Sequence, residues 1–459
     1  MTIVPANRLV FWTAVTLLPA SALSAAIPGA PALLWLPALA LLLAALADAV
    51  AALTGGAALD LEFPAEARLV KNRTDAISFA VINRRRAGGP ARLGLAFPEQ
   101  IQADRDRLVN LSPGESRDSF TWPCTPLERG EFRLEACRVE TASILGLWAR
   151  RHQADLDTTI RVYPDLTAEK KNLAWLFCGR PAGDHALRQI GKGRDFEQLR
   201  EYLPGDSFED IHWKATARRG FPVTKTYRIE RTQEVYLVID ASRLSGRPAR
   251  SPRRPPDRDG QPSDRLRPAK APTILDRFIT TALMSGLAIE RQGDLFGLLS
   301  FDDRIRGFVQ AKNGQAHYDT CREMLYNLYS QRVSPDFREV FSFIAGTLRK
   351  RALLIFLTSL DDPVLADDFI KQVDVIAKRH VILVETIKPA GVAPVFSSAA
   401  ARSPEDIYAA LSGHLEWENL YQTGQRLRQK GVDLAMEEAD RLSPRLTRHY
   451  LDIKRNQLL

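Results

Sequence analysis

Val235-Tyr236-Leu237-Val238-Ile239-Asp240 is a run of five apolar residues closed by a carboxylate. A continuous apolar run of this length predicts a strand buried on both faces, as parallel sheets require. The residues after it alternate in kind. Thr273 to Arg291 has helical period. Leu295 to Ser300 and Ile305 to Val309 read as a strand pair around Asp302-Asp303. Gln315 to Ser330 and Phe337 to Lys350 read as helices, and Ala352 to Leu357 as a second apolar strand. Then come a helix at Val364 to Lys378, a strand at His380 to Thr386, a helix at Glu405 to Lys430, a short strand at Val432 to Met436 and a last helix at Ser443 to Asn456. This alternation predicts an α/β domain over residues 233–459, a mostly parallel sheet with helices on both faces. Ligands of such sheets gather at the carboxyl ends of the strands, which makes Asp240 a candidate site residue. Gly246 to Pro272 breaks the pattern. Residues 247–270 hold eight basic and three acidic side chains with no apolar periodicity, the composition of an inserted, solvated loop.

Upstream, residues 60–165 alternate apolar and polar, as in Ala76-Ile77-Ser78-Phe79-Ala80-Val81-Ile82 and Phe132-Arg133-Leu134-Glu135-Ala136. Turn clusters such as Ala87-Gly88-Gly89-Pro90 and Ser112-Pro113-Gly114 separate the runs, so a β-sandwich is expected. Residues 166–232 form a polar, aromatic-rich connector.

The chain of 459 residues carries 63 basic and 55 acidic side chains, net +8, yet residues 9–47 contain no charge. A short apolar head on a large polar body excludes both a wholly soluble protein and a polytopic transporter. Leu9 to Ile27 and Ala32 to Leu53 flank the helix-breaking Pro28-Gly29-Ala30-Pro31. At about 1.5 Å per residue the two segments reach roughly 28 and 33 Å, enough to cross a hydrocarbon core. Residues 1–59 therefore read as a two-helix transmembrane hairpin. A secretory signal, suggested by Arg8 and the small residues Ser21 to Ala26, is the competing reading, and the second apolar segment counts against it. Arg8 before the hairpin, and Arg68, Lys71 and Arg73 after it, put both ends and the body in the cytoplasm. Cys124, Cys137, Cys178 and Cys321 lie at long spacings that form no metal or disulfide pattern.

The connector carries a dense block from Gly193 to Arg218. Phe196, Leu199-Arg200-Glu201-Tyr202, Pro204-Gly205-Asp206, Ile211, Trp213-Lys214 and Ala217-Arg218 resemble the signature of the bacterial domain-of-unknown-function family 58, with Asp195 where the family usually has Glu. Arg129-Gly130, Gly146-Leu147 and Val162-Tyr163-Pro164 look like the family's upstream region, although its Asp before Gly-Leu is replaced near Ser143. The ending Tyr450-Leu451-Asp452-Ile453-Lys454 is similar too. The resemblance implies a von Willebrand factor A-like domain at 233–459 in a bacterial inner-membrane protein. It also implies a protein partner, a MoxR-type AAA+ ATPase, acting in complex assembly or cell-envelope maintenance.

Von Willebrand A domains bind Mg²⁺ through Asp-x-Ser-x-Ser, a Thr from a second loop and an Asp after the central strand. Here Asp240 and Ser242 match. Leu244 stands at the third position with Ser245 one residue late, Ser334-Pro335-Asp336 lacks the Thr, and Ser359 or Asp361 falls at the last place. Asp240, Ser242 and Asp361 are thus a degenerate candidate set. The alternative is that Asp240 and Ser242 satisfy backbone groups at a strand end. The Asp206, Asp210 and His212 cluster suggests, as an alternative function, a hydrolase-like enzyme. The competing reading makes it a structural polar surface with Tyr202 and Trp213 anchoring the connector to the sheet. Gly191-Lys192-Gly193-Arg194 lacks the P-loop pattern, and the basic insertion lacks aromatics to stack bases, so nucleotide and nucleic-acid binding are not favoured.

Overall fold

The computed structural model describes residues 2–26, 35–54, 59–83, 89–104, 106–111, 116–167, 169, 195–204, 206–228, 233–249, 271–397 and 403–455. The Pro28 to Pro31 turn, Cys178, Gly191 to Arg194 and most of the basic insertion lie outside them. The chain forms two compact units, Met1–Asp165 and the described residues from Leu166 onward.

In the first unit β1 (Thr2–Pro5) precedes two helices, α1 (Asn7–Ala26) and α2 (Leu36–Thr54). Leu36 to Leu53 is long and apolar enough to cross a membrane. The strands that follow are β2 (Leu59–Glu62), β3 (Glu66–Val70), β4 (Asp75–Asn83), β5 (Gly89–Leu95), β6 (Ile101–Ala103), β7 (Asp106–Leu111), β8 (Ser116–Pro126), β9 (Gly130–Ala142) and β10 (Trp148–Tyr163). One sheet runs β1-β10-β9-β5-β7, with β3 parallel to β10; the other runs β2-β4-β8-β6. Both feed one core. Ile77, Phe79, Val81 and Trp122 from the second sheet meet Leu93, Leu134, Val139, Ile160 and Val162 from the first. The period-two alternation of β4 sends Ile77, Phe79 and Val81 inward, which is why this sequence makes a half-buried strand.

The second unit begins with a small antiparallel pair, β11 (Asp195–Glu201) and β12 (Val223–Arg228), with the short helix α3 (Trp213–Arg219) between them. Next come β13 (Glu234–Asp240), α4 (Ile274–Arg291), β14 (Leu295–Phe301), β15 (Ile305–Lys312), α5 (Gln315–Tyr326), α6 (Phe337–Thr347) and β16 (Leu353–Leu357). The unit ends with α7 (Pro363–Gln372), α8 (Asp374–Ala377), β17 (Val381–Ile387), α9 (Pro404–Gln429), β18 (Val432–Glu437) and α10 (Leu442–Arg455). The sheet order is β15-β14-β13-β16-β17-β18. Every pair is parallel except β14 with β15. Taken in chain order this is three-two-one-four-five-six, a Rossmann-type doubly wound sheet whose direction of winding reverses between β13 and β16.

Each central strand is buried on both faces because its apolar run is unbroken. Leu237 and Ile239 pack with Phe278, Leu446 and Tyr450 on one side. Tyr236 and Val238 pack on the other side with Phe337, Phe341 and Phe369. Each such buried side chain contributes about 1.5–3 kcal/mol. Thr273 and Asp276 close a capping box at the start of α4, and Ser403 and Asp406 do the same for α9. Two helices are shorter than their apolar period predicts. The Gln315 helix stops at Tyr326, capped at Asn327, and the Phe337 helix stops at Thr347, where Leu348 is extended. The Val364 to Lys378 helix is interrupted at the fully buried Val373. The C-terminal helix is fastened by Asp294. Its carboxylate accepts the Tyr450 hydroxyl and the Lys454 ammonium (2.7 Å), and also the Gln233 N–H at 3.1 Å. That contact gives the Tyr450 to Lys454 ending a structural role.

Candidate functional site

Asp240 ends β13 at the point where the winding reverses, and it is fully buried. One carboxylate oxygen accepts the Ser242 N–H at 2.8 Å; the other accepts the Thr358 hydroxyl at 2.7 Å from the end of β16. Ser242 Oγ in turn accepts the Leu244 N–H at 3.4 Å. Burial pushes the Asp240 carboxyl above the usual carboxylate range, the bonds from Thr358 and Ser242 oppose this, and the Asp302 charge adds to the rise. Asp302, at the end of the neighbouring strand, is buried as well. Burial disfavours its charge too, but bonds with Asp303, Arg306 and the Arg304 N–H outweigh that and hold it below its ordinary value.

Asp361 accepts a bidentate bond from Arg247, at 2.6 and 3.1 Å. Arg243 bonds Ser334 at 3.1 Å and lies 3.5 Å from Asp362. Mg²⁺ needs near-octahedral oxygen ligation. Here Asp302 and Asp361 are each held by a guanidinium, Leu244 fills a ligand position, and no group of three His, Cys, Asp or Glu side chains able to hold a metal is present among the described residues. The donor set as it stands does not fit Mg²⁺. Asp240 and Ser242 lie together and serve backbone and hydroxyl groups at the strand end, whereas Asp361 is committed to Arg247. Sequence reasoning missed Thr358, Asp302, Arg247 and Arg306. The Asp302-Asp303 turn and the polar pair Thr358-Ser359 after β16 were the available signals.

The signature block folds as the β11–β12 pair and the loop and helix between them. Asp206 is its hub. It accepts from the Arg200 guanidinium at 2.6 Å and the Leu203 N–H at 3.0 Å. The Leu203 N–H and the Arg200 side chain overcome partial desolvation to hold its carboxyl below the usual range. Tyr202 stacks on Phe208 with ring centroids 5.8 Å apart, and its hydroxyl donates to the Asp206 carbonyl at 3.4 Å. His212 is the N-cap of α3, its Nδ1 accepting the Ala215 N–H at 3.0 Å. Gly220 closes the helix at φ 75°, a left-handed position that suits glycine. Asp210 lies in the short 3₁₀ turn Phe208–Asp210. Asp206 and His212 are thus committed to framework bonds, and the acid–base set of the hydrolase alternative is not assembled.

One expectation is corrected here. Trp213 does not anchor the block to the sheet: it is 71% exposed, beside Phe208 at 74% and Leu203 at 58%. Phe221 is exposed as well, and α3 buries no residue. Glu201, Pro204, Lys214 and Arg218 are exposed, and Leu199 and Arg200 are half-buried. Ile211 and Val223 supply the small buried base. The side chain of Phe196, and Gly205, lie outside the described residues.

A third polar cluster sits near the far edge of the sheet. His449 on α10 reaches Glu385 through Nδ1 at 3.0 Å and Asp433 through Nε2 at 3.2 Å. Its bonds to Asp433 and Glu385 outweigh burial and raise the imidazole to about 9. An imidazolium clamped between two carboxylates ties α10 to β17 and β18.

Strand order and the polar strand end define a doubly wound α/β domain of von Willebrand A-like type, carried on a chain with a β-sandwich and an apolar head. Residues 198–248 and 259–393 match the family described as "Protein of unknown function DUF58". The uncharacterized protein YeaD of Bacillus subtilis (strain 168) is 29% identical over 128 residues, 27% of this chain and 31% of the relative. The match thus spans less than a third of that relative's length. Among solved structures, the conserved hypothetical protein BatB from Bacteroides thetaiotaomicron shares 11% identity over 49% of this chain and 99% of that one, with a TM-score of 0.29. The SpRpn10 VWA domain shares 11% over 46% and 93%, with a TM-score of 0.24. The fold assignment rests on the strand order.

Proposed function

We propose that the protein is a membrane-anchored adaptor whose α/β unit docks a protein partner through the signature block. The observation that supports it is the exposure of Leu203, Phe208, Trp213 and Phe221 on one small β11–β12 element. Arg200, Asp206 and His212 spend their bonds on that element's own frame and brace it beneath the apolar side chains. Exposed tryptophan and phenylalanine on a rigid base are the residues that dominate interface energies. By family resemblance the partner is a MoxR-type AAA+ ATPase, and the complex acts in assembly or in maintenance of the cell envelope. The anchor is a two-pass hairpin in the bacterial inner membrane with the body in the cytoplasm. In support, β1 pairs with β10 immediately before α1 begins, and Asp48 near the end of α2 bonds the turn at the start of β10, so both hairpin ends return to one side.

The test is recovery of the ATPase from solubilised membranes with the full chain as bait. Trp213→Ala is expected to cut recovery roughly 30-fold, the equivalent of about 2 kcal/mol. Asp240→Asn is expected to leave recovery within about threefold. No ATPase with the unaltered chain, or full recovery with Trp213→Ala, contradicts the reading.

A further inference from the structure

The turn between β9 and β10 sits where the chain leaves the sheet for its apolar helices. β1 runs antiparallel to β10 with Pro5 opposite Trp148, Ala6 donates its N–H to the Leu147 carbonyl at 2.9 Å, and α1 starts one residue later. The second helix comes back at the same level. Asp48 of α2 is 2% exposed, and all its bonds go to this turn: the Ser143 hydroxyl at 2.5 Å, the Leu145 N–H at 3.0 Å and the Leu147 N–H at 3.2 Å. The Trp148 indole donates to the Ala45 carbonyl at 2.9 Å. On the other side Arg8 packs on Gly146, whose φ is 72°; a Cβ there would stand 3.2 Å from the guanidinium.

A carboxylate in an apolar helix is costly unless its oxygens are satisfied. Here the turn satisfies them, so helix and turn share one depth. With the Leu145 and Leu147 N–H groups spent on Asp48, the turn holds Ile144 at 85% exposure and Leu145 at 53%. On α2 Leu39, Leu42, Leu43 and Leu46 are exposed as well, on the helix face turned away from Asp48.

We infer that the Ser143 to Leu147 turn is a third membrane contact, with Ile144 and Leu145 entering the interfacial layer of the bilayer while Asp48 marks its boundary. The occupant is phospholipid, because the exposed side chains stand beside the start of α1 and at the level where Asp48 ends the exposed apolar stretch of α2, and Arg8 stands beside them for anionic headgroups. This rests on the membrane-anchor part of the proposed function. It fixes the depth of the anchor: Asp48 lies at the hydrocarbon boundary, and α2 beyond it runs along the sandwich.

The experiment reconstitutes the full chain in phosphatidylcholine–phosphatidylglycerol vesicles with and without brominated acyl chains. A genetically encoded fluorescent amino acid replaces Leu42, Ile144 or Glu99 in turn. Glu99 is exposed and follows β5 at its end away from the turn, since Leu95 pairs with Cys137 and Ala91 with Thr141. Brominated lipid is expected to quench positions 42 and 144 at least about twofold and to leave 99 unchanged. Quenching at 42 with position 144 behaving like 99 overturns this inference and leaves the anchor standing. No quenching at 42 overturns the anchor and the inference together.

Discussion

The sheet edge at Asp240 and the signature block are both polar surfaces of the α/β unit, yet they are built in opposite senses. At the edge, charge is turned inward and closed: Arg306 holds Asp302, Arg247 holds Asp361, and Thr358 and Ser242 hold Asp240. In the block, charge is used as scaffolding, and Trp213, Phe208 and Leu203 are turned outward. The edge occupies the place where a doubly wound sheet ordinarily takes a ligand. The difference teaches that position in a fold identifies a candidate site, while the direction in which the side chains spend their bonds says whether that site is open.

Substitutions separate the two regions by what they damage. Phe369→Ala removes a fully buried ring that meets Phe337, Phe341 and Phe356, and should cost about 3–5 kcal/mol in chemical denaturation, disabling edge and block alike. Trp213→Ala should leave the denaturation midpoint within about 0.5 kcal/mol of the unaltered chain while removing the partner, because a side chain this exposed stabilises little. A large loss of stability there would mean that the tryptophan is a structural anchor after all.

Between those extremes lies the His449 clamp. Its folded value of about 9 stands above the ordinary histidine value near 6.5, so folding binds an extra proton between the two. Stability from this clamp is present in full below pH 6.5 and is lost as pH rises through about 9. The loss is on the order of 3 kcal/mol and is readable as a falling denaturation midpoint. His449→Gln should flatten that dependence, and an unchanged pH profile in the variant would show that the clamp is not its source. The smallest stability effect after that of Trp213→Ala is expected at the edge. Arg247→Gln breaks a half-exposed pair and should cost no more than about 1 kcal/mol. Millimolar Mg²⁺ should not raise the melting temperature of the unaltered chain; a clear rise would reopen the edge as a metal site.

The sheet was legible because its strands state their burial locally. Val235 to Ile239 and Leu353 to Leu357 are apolar at every position, and both faces of each are covered. The sandwich was legible from the same kind of local rhythm in β4. The site was less so, for two physical reasons. Pairs such as Arg247 with Asp361, or Asp48 with the turn at Ser143, join residues about a hundred positions apart, and no spacing rule reaches that far. A tryptophan in a dense motif reads as core by composition, because nothing local distinguishes a ring held outward from one packed inward. The metal expectation failed to gather its ligands for a related reason. Asp-x-Ser survives at Asp240 and Ser242, but the arginine that takes the last carboxylate lies two positions beyond Ser245 in a stretch read as an insertion.

The most direct test of the docking surface is photo-crosslinking in intact cells, with a photoreactive amino acid in place of Trp213 in one strain and of Asp361 in another. The account predicts that position 213 captures the AAA+ ATPase and position 361 does not. Capture from 361 with none from 213 would place the docking surface at the sheet edge and contradict the account.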